Sequence, residues 1–189
     1  MIVFWSDHGY RLGEKGTFAK HALWEEATNG PLMFAAPSLP KGKTISQPAE
    51  MLSVYPTLLD LCGLPAYKQN EGKSLVPIMS EEVSYDKSMA AITTHGMNNH
   101  SVRTERYRYI QYEDGTEELY EHVNDPNEWN NQAANREFIE IKSKLNSYLP
   151  KHNQAWNKYS KYEFQPYFVE QKKRHESLPK TERQSSLSE

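Results

Sequence analysis

The chain opens on a run of apolar residues, Ile2-Val3-Phe4-Trp5, that stops abruptly at Ser6-Asp7-His8-Gly9-Tyr10. β-Branched and aromatic residues without polar alternation predict a short strand buried on both faces, as a parallel strand is. A second apolar strand is expected between Pro31 and Pro37, over Leu32-Met33-Phe34-Ala35-Ala36. Between them, residues 11–30 mix charge, glycine and aromatics and predict a loop entering a helical turn around Ala22 to Ala27. Val54, Leu58, Leu59, Leu61 and Cys62 share a helical face, with Ser53 as candidate N-cap, Pro56 in the first turn and Gly63 as the stop. Cys62 then reads as a small buried apolar residue.

From Met89 the period changes. Residues 90–94, 99–104, 107–112 and 117–121 are expected as four short antiparallel strands, punctuated at Gly96, Glu105-Arg106 and Asp114-Gly115. Arg136 to Leu149 is amphipathic, with Phe138, Ile141, Leu145, Tyr148 and Leu149 near helical spacing. The last residues are polar and have a disorder-like composition, and Lys172-Lys173-Arg174 reads as a solvated run.

Composition narrows the function classes. Net charge is -3 over 189 residues, which gives no support for a nucleic-acid partner. Mean hydropathy is -0.84, and no apolar run approaches the ~18 residues of a membrane span. One cysteine allows no intrachain disulfide, and the spaced Cys/His patterns of common zinc sites are absent. What remains is the end of the first strand. There a carboxylate, Asp7, and an imidazole, His8, stand side by side, and Lys20 follows within a turn-rich segment. Ligands bind at strand ends of this kind in α/β sheets, and these three groups can hold a metal ion and an anion together.

The same stretch, Ser6-Asp7-His8-Gly9-Tyr10-Arg11-Leu12-Gly13-Glu14-Lys15, with Lys20, Leu23-Trp24-Glu25-Glu26-Ala27-Thr28 and Pro31-Leu32-Met33-Phe34, resembles the sulfatase family of the alkaline-phosphatase-like superfamily. It is most similar to the iduronate-2-sulfatase and choline-sulfatase-like branch. Tyr55-Pro56-Thr57-Leu58-Leu59-Asp60-Leu61, Gly72-Lys73-Ser74-Leu75, and Glu118-Leu119-Tyr120 with Asn124-Asp125-Pro126-Asn127-Glu128-Trp129 carry the resemblance on to about residue 149.

The resemblance implies the C-terminal part of an α/β sandwich over residues 1–84, a small four-stranded antiparallel sheet plus helix over 85–150, and a polar tail over 151–189. It implies hydrolysis of sulfate monoesters of a sulfated sugar or small molecule. A divalent cation, usually calcium, is implied with Asp7 and His8 at its site, Lys20 as catalytic and substrate contact, and Tyr10, His95 and His100 near substrate. Asn98 and Arg103 lie at the same sheet turns, His21 is expected to be structural or near the site, and the Glu25-Glu26 pair structural. A periplasmic, secreted or lysosomal compartment is implied as well.

One element of the family pattern is missing. Its formylglycine nucleophile forms in Cys/Ser-x-Pro-x-Arg, which does not occur here: Cys62 has its proline one place late, and Ser38, Ser46 and Ser177 have no arginine two residues beyond theirs. A second pair of metal-binding aspartates at a strand end is missing too. The expectation is therefore a C-terminal fragment that needs the N-terminal part of the domain and is inactive alone. The alternatives are a phosphatase or phosphodiesterase of the same superfamily, and a non-catalytic binding module.

Overall fold

The computed structural model describes residues 1–80, 90–154 and 173. The domain boundary expected at 84, and the tail apart from its first residues and Lys173, lie outside them.

The four-stranded sheet forms where the period-two pattern places it. Strands β5 (Ala91–Thr94), β6 (His100–Arg103), β7 (Tyr107–Gln111) and β8 (Glu117–Glu121) run antiparallel in that order. Val102 faces Tyr109, and Tyr109 faces Leu119. Alternation gives this sheet two unlike faces. Val102, Tyr109 and Leu119 point to one face and pack on Leu145, Phe138 and Ile141 of the C-terminal helix. That helix begins as a 3-10 turn at Arg136–Phe138, where Asn135 accepts from the Glu137 amide, and continues as an α-helix over Ile139–Asn146. Each fully buried large apolar side chain in this layer contributes about 1.5–3 kcal/mol.

The opposite face of the sheet carries Ser101, Arg108, Ile110, Glu118 and Tyr120. Leu23 and Trp24 from the N-terminal segment cover it. The Lys15 ammonium and the Trp24 indole hydrogen-bond to polar groups of this second face.

The N-terminal half is looser. Strand β1 (Ile2–Trp5) pairs antiparallel with β4 (Leu32–Ala35). The expectation of a strand buried on both faces is corrected here. Ile2, Phe4 and Trp5 are each more than half exposed, because no described residue covers their faces. Between the two strands, β2 (Arg11–Leu12) and β3 (Phe18–Ala19) form a small hairpin, and α1 spans Glu25–Thr28.

Helix α2 (Val54–Leu61) ends at Gly63, whose φ of 65° is the left-handed turn glycine permits. Two details differ from expectation. Ser53 does not cap α2 with its side chain: a 3-10 turn at Met51–Ser53 runs straight into the helix, and Ser53 supplies its carbonyl to the Thr57 hydroxyl instead. Cys62 is exposed, since it lies past the last turn, where the helix has left the core. A short helix α3 (Val76–Met79) is tied to α2 by the Leu75 amide, which donates to Thr57 Oγ1. No helix among the described residues is long and apolar enough to cross a membrane.

Candidate active-site cleft

Asp7 and His8 follow β1 directly, and the turn that carries them is clamped from behind. The Ser6 amide donates to the Pro31 carbonyl (3.0 Å) and the Gly9 amide to the Ala27 carbonyl (2.9 Å). A Cβ at Gly9 would lie 1.9 Å from the Glu26 carbonyl oxygen, so only glycine permits this approach of the turn to α1.

Lys20 comes from the other side, one residue beyond β3. The hairpin that delivers it is pinned to the polar face of the small sheet. The Lys15 ammonium donates to Tyr120 Oη (3.1 Å) and to the Glu128 carbonyl, and sits 5.1 Å from the centre of the Trp24 ring. Arg11 stacks on Trp24 at 5.0 Å. Trp24 Nε1 and the Tyr120 and Tyr112 hydroxyls all donate to the Glu118 carboxylate (2.6, 2.8 and 3.1 Å). Burial, and then the Glu118 charge, hold both phenols well above the ordinary tyrosine range. Burial lowers the Lys15 ammonium, against the opposing pull of Glu118 and Glu128.

These anchors bring Lys20 Nζ to 3.0 Å from His8 Nε2. His8 Nδ1 lies 2.6 Å from the Gly9 carbonyl, which can only accept, so Nδ1 carries the proton and Nε2 presents a lone pair. Asp7 Oδ1 lies 3.6 Å from that same Nε2. A carboxylate oxygen and an imidazole lone pair thus converge on one point, an arrangement that a cation stabilises. In this structure the Lys20 ammonium stands at that lone pair, so a divalent ion held by Asp7 and His8 would require Lys20 to turn aside. Calcium takes six to eight oxygen ligands, so for that ion these two groups would be a minority of the set, with the imidazole its unusual member.

The cleft in front of these groups has a volume of about 930 Å³ and is lined by Asp7, His8, Lys20, His21, His95 and Arg103 among others. Three of the expected site residues, Asp7, His8 and Lys20, therefore come together, and His95 joins them in the cleft. Tyr10 and His100 do not line it. Tyr10 is exposed. His100 is 3% exposed and shares the parity of Val102, so it belongs to the helix-packed side of the sheet, where its Nδ1 pairs with Thr94 Oγ1 at 2.9 Å.

Of the residues that hold the cleft's two walls together, Glu25 was expected to be structural and Arg103 to border the pocket, while the sequence pattern pointed to no role for Arg108. Arg108, 2% exposed, donates from Nε to Glu128 Oε1 (2.5 Å), from Nη1 to the Leu23 carbonyl (2.9 Å) and Ser101 Oγ (2.5 Å), and from Nη2 to Glu25. Glu128, fully buried, also takes the amide of Glu25 (2.9 Å) and His122 Nε2 (2.9 Å). Glu25 binds Arg103 as well (3.0 Å). Glu25, His122 and Glu128 bring ligand atoms within 4.8 Å of one another, but the guanidinium of Arg108 fills the place a cation would take. The signal available beforehand was strand alternation, which puts Arg108 on the inward face of β7 opposite Tyr120.

Burial alone would raise the Glu25 carboxyl, but Arg108 and Arg103 outweigh it and bring it down to about 2. A folded-state value below the unfolded one stabilises the fold above the unfolded pKa, about 4.3. Stability is therefore expected to hold down to about pH 5 and to fall by about 2–3 kcal/mol as the pH drops from 5 to 2. Denaturant melts against pH check this: Glu25→Gln, less stable at neutral pH, should lose the Glu25 share of the slope in that window.

Residues 13–155 match the family model described as N-sulphoglucosamine sulphohydrolase, C-terminal. A sulfatase of Formosa agariphila is 62% identical over 174 residues, covering 92% of this chain and 34% of its own length. Arylsulfatase K of Bos taurus is 28% identical over 184 residues, covering 87% of this chain and 34% of its own. A solved structure of a protein in complex with its substrate D-glucosamine-2-N,6-O-disulfate superposes with a TM-score of 0.66 at 26% identity, covering 77% of this chain and 32% of that one. The chain spans about a third of the length of the curated relatives it matches. With the expected four-stranded sheet, its covering helix and a match over most of its length, the chain belongs to the N-sulphoglucosamine sulphohydrolase C-terminal family of the sulfatases.

Proposed function

We propose that this chain supplies one wall of a sulfuric-ester hydrolase site, gripping the sulfate group of a sulfated sugar. The observation that carries this reading is the convergence of Asp7, His8 and Lys20 at the mouth of one cleft. Asp7 and His8 would hold a divalent cation, calcium by family resemblance, which when bound supplies positive charge to sulfate oxygens. Lys20 supplies a second positive charge and hydrogen-bond donors to the same oxygens. Positive charge fixed in advance where negative charge develops in the transition state usually accounts for most of the rate enhancement in such sites. His8 keeps its Nε2 lone pair toward the site because the Gly9 carbonyl fixes the proton on Nδ1.

The nucleophile is outside this set. No Cys/Ser-x-Pro-x-Arg occurs in the 189 residues, so the attacking group belongs with the remainder of a family-length protein. The purified chain is therefore expected to bind sulfate esters without hydrolysing them. The test is release of nitrophenol from a chromogenic aryl sulfate in calcium. Turnover by the chain itself would overturn this division of labour.

A further inference from the structure

Lys20 stands one residue beyond a hairpin that has little to hold its shape. The ladder between β2 and β3 has two rungs, Arg11 opposite Ala19 and Leu12 opposite Phe18. A two-stranded hairpin is marginal in water even when it is longer than this. Apolar packing does not make up the difference, because Leu12 and Phe18 are 71% and 72% exposed.

Arg11 supplies the missing order. It is 4% exposed, and its side chain crosses the hairpin. Nε donates to the Ala19 carbonyl (3.3 Å), in the peptide that leads into Lys20, and Nη1 donates to Thr17 Oγ1. The guanidinium carbon lies 5.0 Å from the centre of the Trp24 ring, whose face attracts a cation. Trp24 Nε1 in turn donates to Glu118 of β8 (2.6 Å). Contacts therefore run from the small sheet through Trp24 and Arg11 to the carbonyl beside Lys20. Lys20 lines the cleft, and Arg11 does not. A lysine ammonium rides on a flexible four-carbon stem, so where it can reach depends on where its backbone is fixed.

We infer that Arg11 is a positioning residue for the sulfate grip: it fixes the backbone from which Lys20 reaches the cleft, and it acts on a sulfate ester only through Lys20. This deepens the reading of the cleft as a sulfate-ester site and rests on it.

The test is a double-mutant cycle, read by NMR titration of glucose monosulfate into the chain in calcium. Lys20→Ala should bind at least about tenfold more weakly than wild type. Arg11→Met should bind about fivefold more weakly, within the range of coupling between residues joined by one network. The double variant should be no weaker than Lys20→Ala alone, because with the ammonium gone there is nothing left for Arg11 to place. Arg11→Lys keeps a positive charge but loses the planar fork, so it should bind more weakly than wild type as well. Should Arg11→Met fail to fold, Arg11→Lys carries the same cycle. Arg11 variants that bind like wild type while Lys20→Ala is weakened overturn the positioning role and leave the sulfate reading standing. So does Arg11→Met weakening the Lys20→Ala protein by the same factor as wild type, which a merely structural residue would do. Full affinity in Arg11→Lys overturns it too, since charge alone would then suffice. Wild-type affinity in Lys20→Ala overturns the sulfate reading itself, and the role of Arg11 with it.

Discussion

Glu128→Ala is expected to cost about 3–5 kcal/mol, the range found when one partner of a buried ion pair is removed and the other stays behind. Glu128 is fully buried and joins three groups at once: Arg108 Nε, the Glu25 amide and His122 Nε2. Its loss leaves the Arg108 guanidinium, 2% exposed, without half of its countercharge. For a domain of typical stability, about 5–15 kcal/mol, that is a large fraction. Glu128 also has a left-handed φ of 59°, and so does Lys15 at 51°, whose ammonium donates to the Glu128 carbonyl. Two uncommon backbone conformations therefore meet at the seam between the Lys20 hairpin and the small sheet, joined by that hydrogen bond. Urea melts of wild type, Glu128→Ala and the double variant Glu128→Leu/Arg108→Met check this. The double variant should recover part of the loss, since neither of the two most deeply buried charges remains and Glu25 keeps its bond to Arg103. A loss below about 1 kcal/mol in Glu128→Ala would show that the network contributes little to the fold.

This seam shows what the sequence carries and what it conceals. The four strands of the small sheet lie within a residue or so of their expected limits, because alternation and Asp114-Gly115 are local signals. Val102, Tyr109, Leu119 and Leu145 form the core that such a pattern demands. Asp7, His8 and Lys20 were singled out beforehand because they stand at element ends and family motifs mark them, and the structure brings the three together in one cleft. Arg108 was not. A charged residue inside a strand reads as solvent-facing unless its partners are known, and Glu25 and Glu128 lie 83 and 20 residues away from it in the chain. His100 read as near substrate from its place at a turn, but pairing with β5 turned it toward Thr94 instead. The apolar run of β1 predicted full burial, and apolarity alone does not specify which segment does the covering.

Lys20→Ala is the second large effect. In a family-length sulfatase containing this chain, it should lower kcat/KM by about 10²–10³, the cost of removing one preorganised donor from a developing negative charge. KM and kcat should both change, since the proposed contact would be made both before and during the reaction. The effect follows from placement. Lys20 is exposed and flexible by nature, yet the residues around it are not: Arg11 and Lys15 on Trp24, and Trp24 on Glu118, fix the hairpin whose last strand ends one residue before it. Lys20→Arg should rescue only part of the activity, because a planar guanidinium does not reproduce a compact ammonium at His8 Nε2.

The sulfate grip itself is open to calorimetric titration of a sulfated monosaccharide into the chain in calcium, with wild type, Lys20→Ala and Asp7→Ala compared side by side. The grip assigned to Asp7, His8 and Lys20 predicts measurable binding by wild type, at least about tenfold weaker binding by Lys20→Ala and none by Asp7→Ala, with all three equally folded by circular dichroism. Equal affinities across the three proteins would contradict it.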